Sequence, residues 1–229
     1  MPILGTRLKK ASEMVVGGIP LIDVGTDHAY LPVHLIKSGV VPYAYAGDIG
    51  EKPLKNAELA VTRYGLNEKI RLSVSDGLKG FNFQFPDKIN ITICGMGGTL
   101  IVKILSESRE KVARDGVHLV LQPMTHSEDV RKWLCENGFS IVSEDCVRDC
   151  GRIYCCISAD YTGEIVSLDE GFFYFGTLTK NTEEQSAFIS AQIGRVRKRL
   201  DAITEARLYP DEQKTLISIC DYYESRYGE

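Results

Sequence analysis

Three apolar runs in the first third of the chain each end in a carboxylate. Asp23 closes Ile19–Asp23, with Gly25, Asp27 and His28 just beyond it. Asp48 closes Tyr43–Asp48, and Asp76-Gly77 follows Ile70–Val74. Two later runs end in Gly95-Met96-Gly97-Gly98 and in Gln122-Pro123. One acid after a strand is commonplace and is usually a helix cap. A succession of acids in one register is the pattern expected of a ligand site. In an open parallel sheet, ligands bind beyond the carboxyl ends of the strands. Gly25 opens the first turn, but no further glycines follow at the spacing of a dinucleotide fingerprint. Asp27 and His28 stand there instead. A carboxylate at that point disfavours a pyrophosphate and suits a cationic ligand. Asp48 stands at the distance from Gly25 where an acid grips ribose hydroxyls in nucleoside-binding folds, and two carboxylate oxygens can accept from two vicinal hydroxyls. Asp76 is placed to accept from an adenine amino group, although Asp-Gly is also an ordinary turn pair. Gly95-Met96-Gly97-Gly98 lacks the Gly-Lys-Ser/Thr of a phosphate loop. It is either a tight strand-to-helix turn or a backbone surface for a flat substrate.

The elements that must position these residues follow from periodicity. Leu4, Leu8, Ala11 and Val15 fall at helical spacing, with Arg7, Lys9 and Lys10 on the other faces. Helices are expected over Ala29–Lys37, with Pro32 in the first turn, and over Glu51–Tyr64, Thr99–Leu105 and Ser127–Asn137. Strands are expected between them and over Ile89–Cys94 and Val117–Leu121. Phe139–Val147 and Ile153–Ala159 read as a hairpin that adds an antiparallel strand at one side. Alternating strand and helix argues a mostly parallel sheet covered on both faces.

After Tyr161 the pattern changes. Thr162–Leu178 reads as a loop-rich connection. Ile189, Ile193, Val196, Leu200 and Ile203, then Gln213, Leu216, Cys220, Tyr223 and Tyr227, step by four and three on either side of Pro210. That is an antiparallel two-helix hairpin of coiled-coil type. The expected division is a catalytic domain over 1–161 and a C-terminal connection and helical domain over 162–229.

The 229 residues carry a formal charge of −4, so no global basic field marks a nucleic-acid partner. The densest local cluster is Arg195, Arg197, Lys198 and Arg199, splayed around the seam residue Val196. It reads as a solvated helix face or as a phosphate contact. No apolar run approaches the roughly 20 residues of a membrane span, and no signal-peptide core opens the chain. A cytoplasmic location is expected. The seven cysteines include no C-x-x-C pair and read as reduced structural thiols. No metal and no obligate protein partner are expected.

The strings Asp23-Val-Gly-Thr-Asp-His-Ala-Tyr-Leu-Pro32, Gly47-Asp-Ile-Gly-Glu-Lys-Pro-Leu54, Ser75-Asp-Gly-Leu78, Cys94-Gly-Met-Gly-Gly-Thr-Leu100 and Leu121-Gln-Pro123 resemble the bacterial tRNA (adenine-22-N1)-methyltransferases. The resemblance runs over nearly the whole chain, hairpin included. It implies a Rossmann-like class I methyltransferase core and S-adenosyl-L-methionine as cofactor. By the same resemblance, Gly25, Asp27 and His28 lie by the methionine part, Asp48 holds the ribose, Asp76 and Gly77 take the adenine, and Asp23 and Ile49 are further cofactor-binding residues. Gly95 and Met96 lie near the methyl group, with Asp27 a candidate for a direct part in catalysis. The partner implied is tRNA, gripped by Arg7, Lys9 and Lys10 together with Arg195, Arg197, Lys198 and Arg199. This chain departs from the pattern at Met124, where the family pattern has Asn, and at Asp48, where many relatives carry Glu. Two alternatives stand beside this reading. One is a methyltransferase acting on another RNA, a protein or a small molecule, and the other is a nicotinamide-dependent oxidoreductase.

Overall fold

The computed structural model describes residues 1–228. Its frame is a seven-stranded sheet: β1 (Leu21–Val24), β2 (Ala44–Asp48), β3 (Ile70–Val74), β4 (Ile89–Met96), β5 (Val117–Pro123), β6 (Phe139–Asp149) and β7 (Arg152–Tyr161). The spatial order is β3-β2-β1-β4-β5-β7-β6. The first five strands pair in parallel, and β7 runs antiparallel to both β5 and β6. The expected hairpin therefore enters as two strands, with β7 inserted next to β5 and β6 outermost. The strands at the centre, β1 and β5, are buried along their whole length, whereas the edge strand β3 is largely exposed. That gradient matches continuous apolar runs inside and an alternating Ile-Arg-Leu-Ser-Val at the rim.

Helices cover both faces. On one, α1 (Thr6–Glu13), α2 (Tyr30–Lys37) and α3 (Glu51–Arg63) bury Ala11, Leu31, Leu35, Ala57 and Val61. On the other, α4 (Gly98–Glu107) and α6 (Ser127–Glu136) bury Ile101, Leu105, Val130 and Leu134. Between them lies a short turn of helix, α5 (Arg109–Val112), which the apolar pattern does not announce. Along β5, Val117, Leu119 and Leu121 join the second face and Val120 the first, the alternation a pleated strand requires.

The C-terminal segment contains α7 (Glu170–Phe175), α8 (Glu183–Ala206) and α9 (Pro210–Tyr227). The helix α7 falls inside the stretch expected to be loop. Its Phe173 and Phe175 are buried, so tertiary packing decides its structure. Thr182 caps α8 by accepting from the Gln185 N–H at 3.1 Å, and Pro210 opens α9 at its first position. Pairings of Arg197 with Glu224 and Thr204 with Gln213 show that α8 and α9 are antiparallel, as expected. The pair does not stand free. Phe188, Ile189 and Ile193 of α8 share one apolar cluster with the sheet core.

A buried ion pair ties this segment down. Arg131 of α6 donates through Nε to Glu144 Oε1 of β6 at 2.6 Å, and neither side chain is exposed. Arg131 Nη1 also donates to the carbonyls of Phe173 and Tyr174, and Glu144 Oε2 accepts from the Thr177 N–H. Burial works against the guanidinium charge, but the Glu144 carboxylate restores it and holds the group above the ordinary arginine range. Gly176 is where the chain crosses this pair. Its φ is +60°, and a Cβ there would collide with Glu144 Oε2 and Arg131 Nε.

Candidate active site

Parallel register gathers the strand ends. Val24 lies beside Gly47, and Asp48 beside Val74. The N–H groups of Gly25 and Thr26 both donate to the Gly47 carbonyl, at 2.8 and 3.0 Å, which sets the first turn against β2. Gly25 has φ +79°, and a Cβ on it would collide with Met96 Cε. Glycine is thus demanded twice at that position. Asp23, two residues earlier in β1, is buried and accepts from Thr92 Oγ1 of β4 at 2.6 Å. Burial raises its carboxyl above the ordinary aspartate value, and hydrogen bonds from Thr92 and Thr26 oppose the rise. Asp27 is exposed, with its Oδ2 3.3 Å from His28 Nε2. The His28 ring stacks on Tyr30 at 5.0 Å and 16°. No side chain caps α2, whose N-cap Ala29 has φ +51°, so the first N–H groups of that helix remain available.

At the neighbouring strand ends the acids have local partners. Asp48 Oδ1 accepts from the Gly50 N–H at 2.8 Å in the turn that leads into α3, which leaves Oδ2 to accept elsewhere. Ile49 is exposed beside it. Asp76 faces Lys79 at 3.4 Å, and Gly77 has φ +60° with Ile104 against it. On the other side, β4 runs on through Gly95 and Met96, beyond the Cys94 at which its apolar run stops. A register shift lies between Cys94 and Met96, and Met96 pairs with Pro123. Gly95, at φ +78°, donates its N–H to Gln122 Oε1 at 3.2 Å, and the space where its Cβ would stand is open.

These turns surround a cavity of about 410 Å3. Asp23, Gly25, Asp27 and His28 line one side, and Cys94, Gly95 and Gln122 line another. The remaining wall comes from afar. Arg7 of α1 donates through Nε to Oδ2 of Asp149, the last residue of β6, at 2.7 Å, while Thr6 Oγ1 donates to Asp149 Oδ1 at 2.9 Å. The Arg7 guanidinium lies over the Tyr154 ring at 5.1 Å and donates to Met124 Sδ. Arg7 and Thr6 hold the Asp149 carboxyl below the usual aspartate range. Asp48, Ile49, Asp76, Gly77 and Met96 share the same sheet edge but are not in the cavity wall. Met96 lies next to it, over Gly25.

The basic candidates divide. Arg7, expected on a free helix face, is half-buried in the cavity wall. Lys10 is held by Asp145 at 2.8 Å and Glu13 at 3.0 Å, and Lys9 is exposed. Arg195 pairs with Glu128 at 2.8 Å, Arg197 with Glu224, and Arg199 with both oxygens of Glu212. Acids from α6 and α9 thus match three of the four charges of this run. Lys198 is exposed. The Arg7–Asp149 wall was missed because each residue's local pattern gives an ordinary reading, a helix face and a hairpin turn. Among the described residues no cluster of His, Cys, Asp or Glu is placed to hold a metal ion, and no helix is long and apolar enough to cross a membrane.

A parallel sheet whose strand order reverses between β1 and β4, with a cavity at its carboxyl edge beside acid-tipped strands, defines a Rossmann-like protein that takes a nucleoside-type ligand. The profile of the family described as methyltransferase domain matches residues 4–157. The chain belongs to that family, and the oxidoreductase alternative falls. It is 34% identical over 151 residues to the tRNA (adenine(22)-N(1))-methyltransferase of Bacillus subtilis, an alignment that covers 66% of this chain and 62% of that protein. The chain thus spans less than two thirds of that relative's length. Solved structures match over nearly the whole chain. Streptococcus pneumoniae Sp1610 in complex with S-adenosyl-L-methionine is 32% identical, with a TM-score of 0.78 and coverage of 95% of this chain and 99% of that one. M. capricolum TrmK in complex with S-adenosyl-homocysteine is 25% identical, with a TM-score of 0.80 and coverage of 98% and 100%.

Proposed function

We propose that this chain methylates N1 of adenine 22 in tRNA, with S-adenosyl-L-methionine as donor. The observation that carries the reading is the cavity between the β1 turn and Gly95. It is rich in carboxylates, open above a glycine, and sited at the edge where this fold takes nucleoside-type ligands. The likeness to proteins solved with this cofactor and its product supports it.

The residues fit such a cofactor. Asp23, Asp27 and Asp149 against Arg7 make a wall that favours cationic groups, and Gly25 and Gly95 keep side chains out of the space. Gly25, Asp27 and His28 hold the methionine part. The free Oδ2 of Asp48, with Ile49 beside it, takes ribose hydroxyls, and Asp76-Gly77 takes the adenine. When bound, the cofactor supplies an electrophilic methyl group on a sulfonium. Adenine N1 carries an in-plane lone pair, so no proton has to be removed before attack. The chain's task is therefore to orient the base against Gly95 and Met96 and to favour the cation that forms. Asp27, an exposed carboxylate in the cavity lining, takes the second task in this reading. Position 124 offers a thioether that already accepts from Arg7, so no side-chain amide is available there to read the base edge. The target adenine must leave its stack to enter.

The test is methylation of unmodified tRNA with labelled cofactor, followed by nucleoside analysis and mapping. Label in 1-methyladenosine at position 22 is expected. Label in another nucleoside, or only in protein, would reject the assignment.

A further inference from the structure

A second concavity, of about 470 Å3, adjoins the cavity on the far side of Met124 and Tyr154. Arg7 touches both of those residues from the cavity side, so the two spaces are separated by one layer of side chains. The groove is built from three distant parts of the chain: the β5–α6 turn with His126, the β6–β7 tip with Arg152, and α8 with Gln192 and Arg195. Its lining contains no carboxylate. Glu128 sits behind the rim, its side chain 12% exposed, accepting from Arg195 at 2.8 Å and lying 3.5 Å from His126 Nδ1. Arg152 is exposed and takes no part in an ion pair among the described residues. His126 is held at φ +53°, a conformation that costs a non-glycine residue free energy and that turns up at binding sites. The start of α4 crosses close by, and a Cβ on Gly98 would collide with the His126 carbonyl.

The two spaces sort a nucleic acid by charge. The cavity wall carries Asp23, Asp27 and Asp149 beside Arg7, which disfavours phosphate there, while the adjoining groove is lined only by neutral and basic groups. We propose that the groove is a subsite for the sugar–phosphate backbone of the RNA strand next to the inserted base, with Arg152, His126 and Arg195 facing its phosphates. The inference rests on the RNA reading above. It relocates the main RNA contact from the solvent face of the basic run to a rim that no sequence segment contains.

The test compares the full-length chain with an Arg152→Gln/His126→Gln variant and with Arg152→Lys. Arg195 is left alone because it neutralises Glu128. Steady-state methylation of unmodified tRNA is measured over a salt series, and S-adenosylhomocysteine affinity by calorimetry serves as the folding control. The double variant should raise KM for tRNA on the order of tenfold, with kcat and S-adenosylhomocysteine affinity unchanged. The slope of log KM against log salt should shrink by about 0.7–0.9 for each cation removed from a phosphate. Arg152→Lys should keep the slope. An unchanged KM and slope in an active variant would overturn the subsite and leave the RNA reading standing. So would a loss confined to kcat. A wild-type chain that methylates no RNA would remove the RNA reading and the subsite together.

Discussion

The Arg131–Glu144 pair gives the sharpest prediction for how the C-terminal helices are joined to the sheet. Glu144→Gln keeps the side chain's shape but removes its charge. Arg131, with no exposed surface, then becomes a buried cation without a counter-ion. The amide must also turn its NH2 toward either Arg131 or the Thr177 N–H, and both are donors. Breaking one side of a buried pair costs about 3–5 kcal/mol. For a chain of this size that is a loss in Tm of roughly 6–20 °C, at about 2–4 °C per kcal/mol. Replacing both partners, as Arg131→Met/Glu144→Met, removes the stranded charge and should cost well under the sum of the single changes. Trp133, the single tryptophan, lies two residues from Arg131 in α6, and its fluorescence reports melting directly. A Glu144→Gln variant that loses less than about 1 kcal/mol, or additive losses in the double variant, would refute the view that this pair is the clasp.

Three further outcomes are expected. Asp48→Ala should weaken S-adenosylhomocysteine binding by about 1–3 kcal/mol, roughly five- to 150-fold, because ribose hydroxyls lose their acceptor; unchanged affinity by calorimetry in a folded variant would take Asp48 out of the site. Asp23→Asn should show a pH-dependent gain in stability. The wild-type carboxyl is raised in the folded state, so its contribution is full below the ordinary value of 3.8 and is lost as pH rises through the folded value. The difference in Tm between variant and wild type should therefore grow from acid to neutral pH, and a difference independent of pH would disprove the assignment. Replacing Arg197, Lys198 and Arg199 together by Gln should lower the salt slope for tRNA by less than three phosphate contacts' worth, because Arg197 and Arg199 already have carboxylate partners; a full three-contact drop would show that the run, not the groove, carries the RNA.

The strand-turn-helix pattern from Leu21 to Glu136 could be read directly because each apolar run has its own turn chemistry. The acids at the strand ends were legible for the same reason. The partners of the basic run were not. Glu212 and Glu224 lie on a separate helix whose rotation about the seam, not its sequence, brings them to Arg199 and Arg197. The Arg7–Asp149 wall depends on the register of β6 against β7, which shifts between Ile141 and Ser143. A slip of one residue there would turn Asp149 to the opposite face. The helix α7 has too few residues for a periodic signal and forms because Phe173 and Phe175 find a core built by other segments.

The insertion of β7 between β5 and β6 bears on how the chain emerges from a ribosome. All seven residues of β5 are buried in the finished sheet. Until residues 152–161 have been made, that strand has a neighbour on one side only, and its other edge is a bare row of backbone donors and acceptors flanked by apolar side chains. The nascent chain passes through this state while the first five strands are already able to pair, because domains form from the N-terminus as they are synthesised. Fragments that stop before Arg152 freeze it. Such fragments should self-associate through β5, and slow translation across the β6–β7 region would lengthen the interval in which a holdase chaperone is needed.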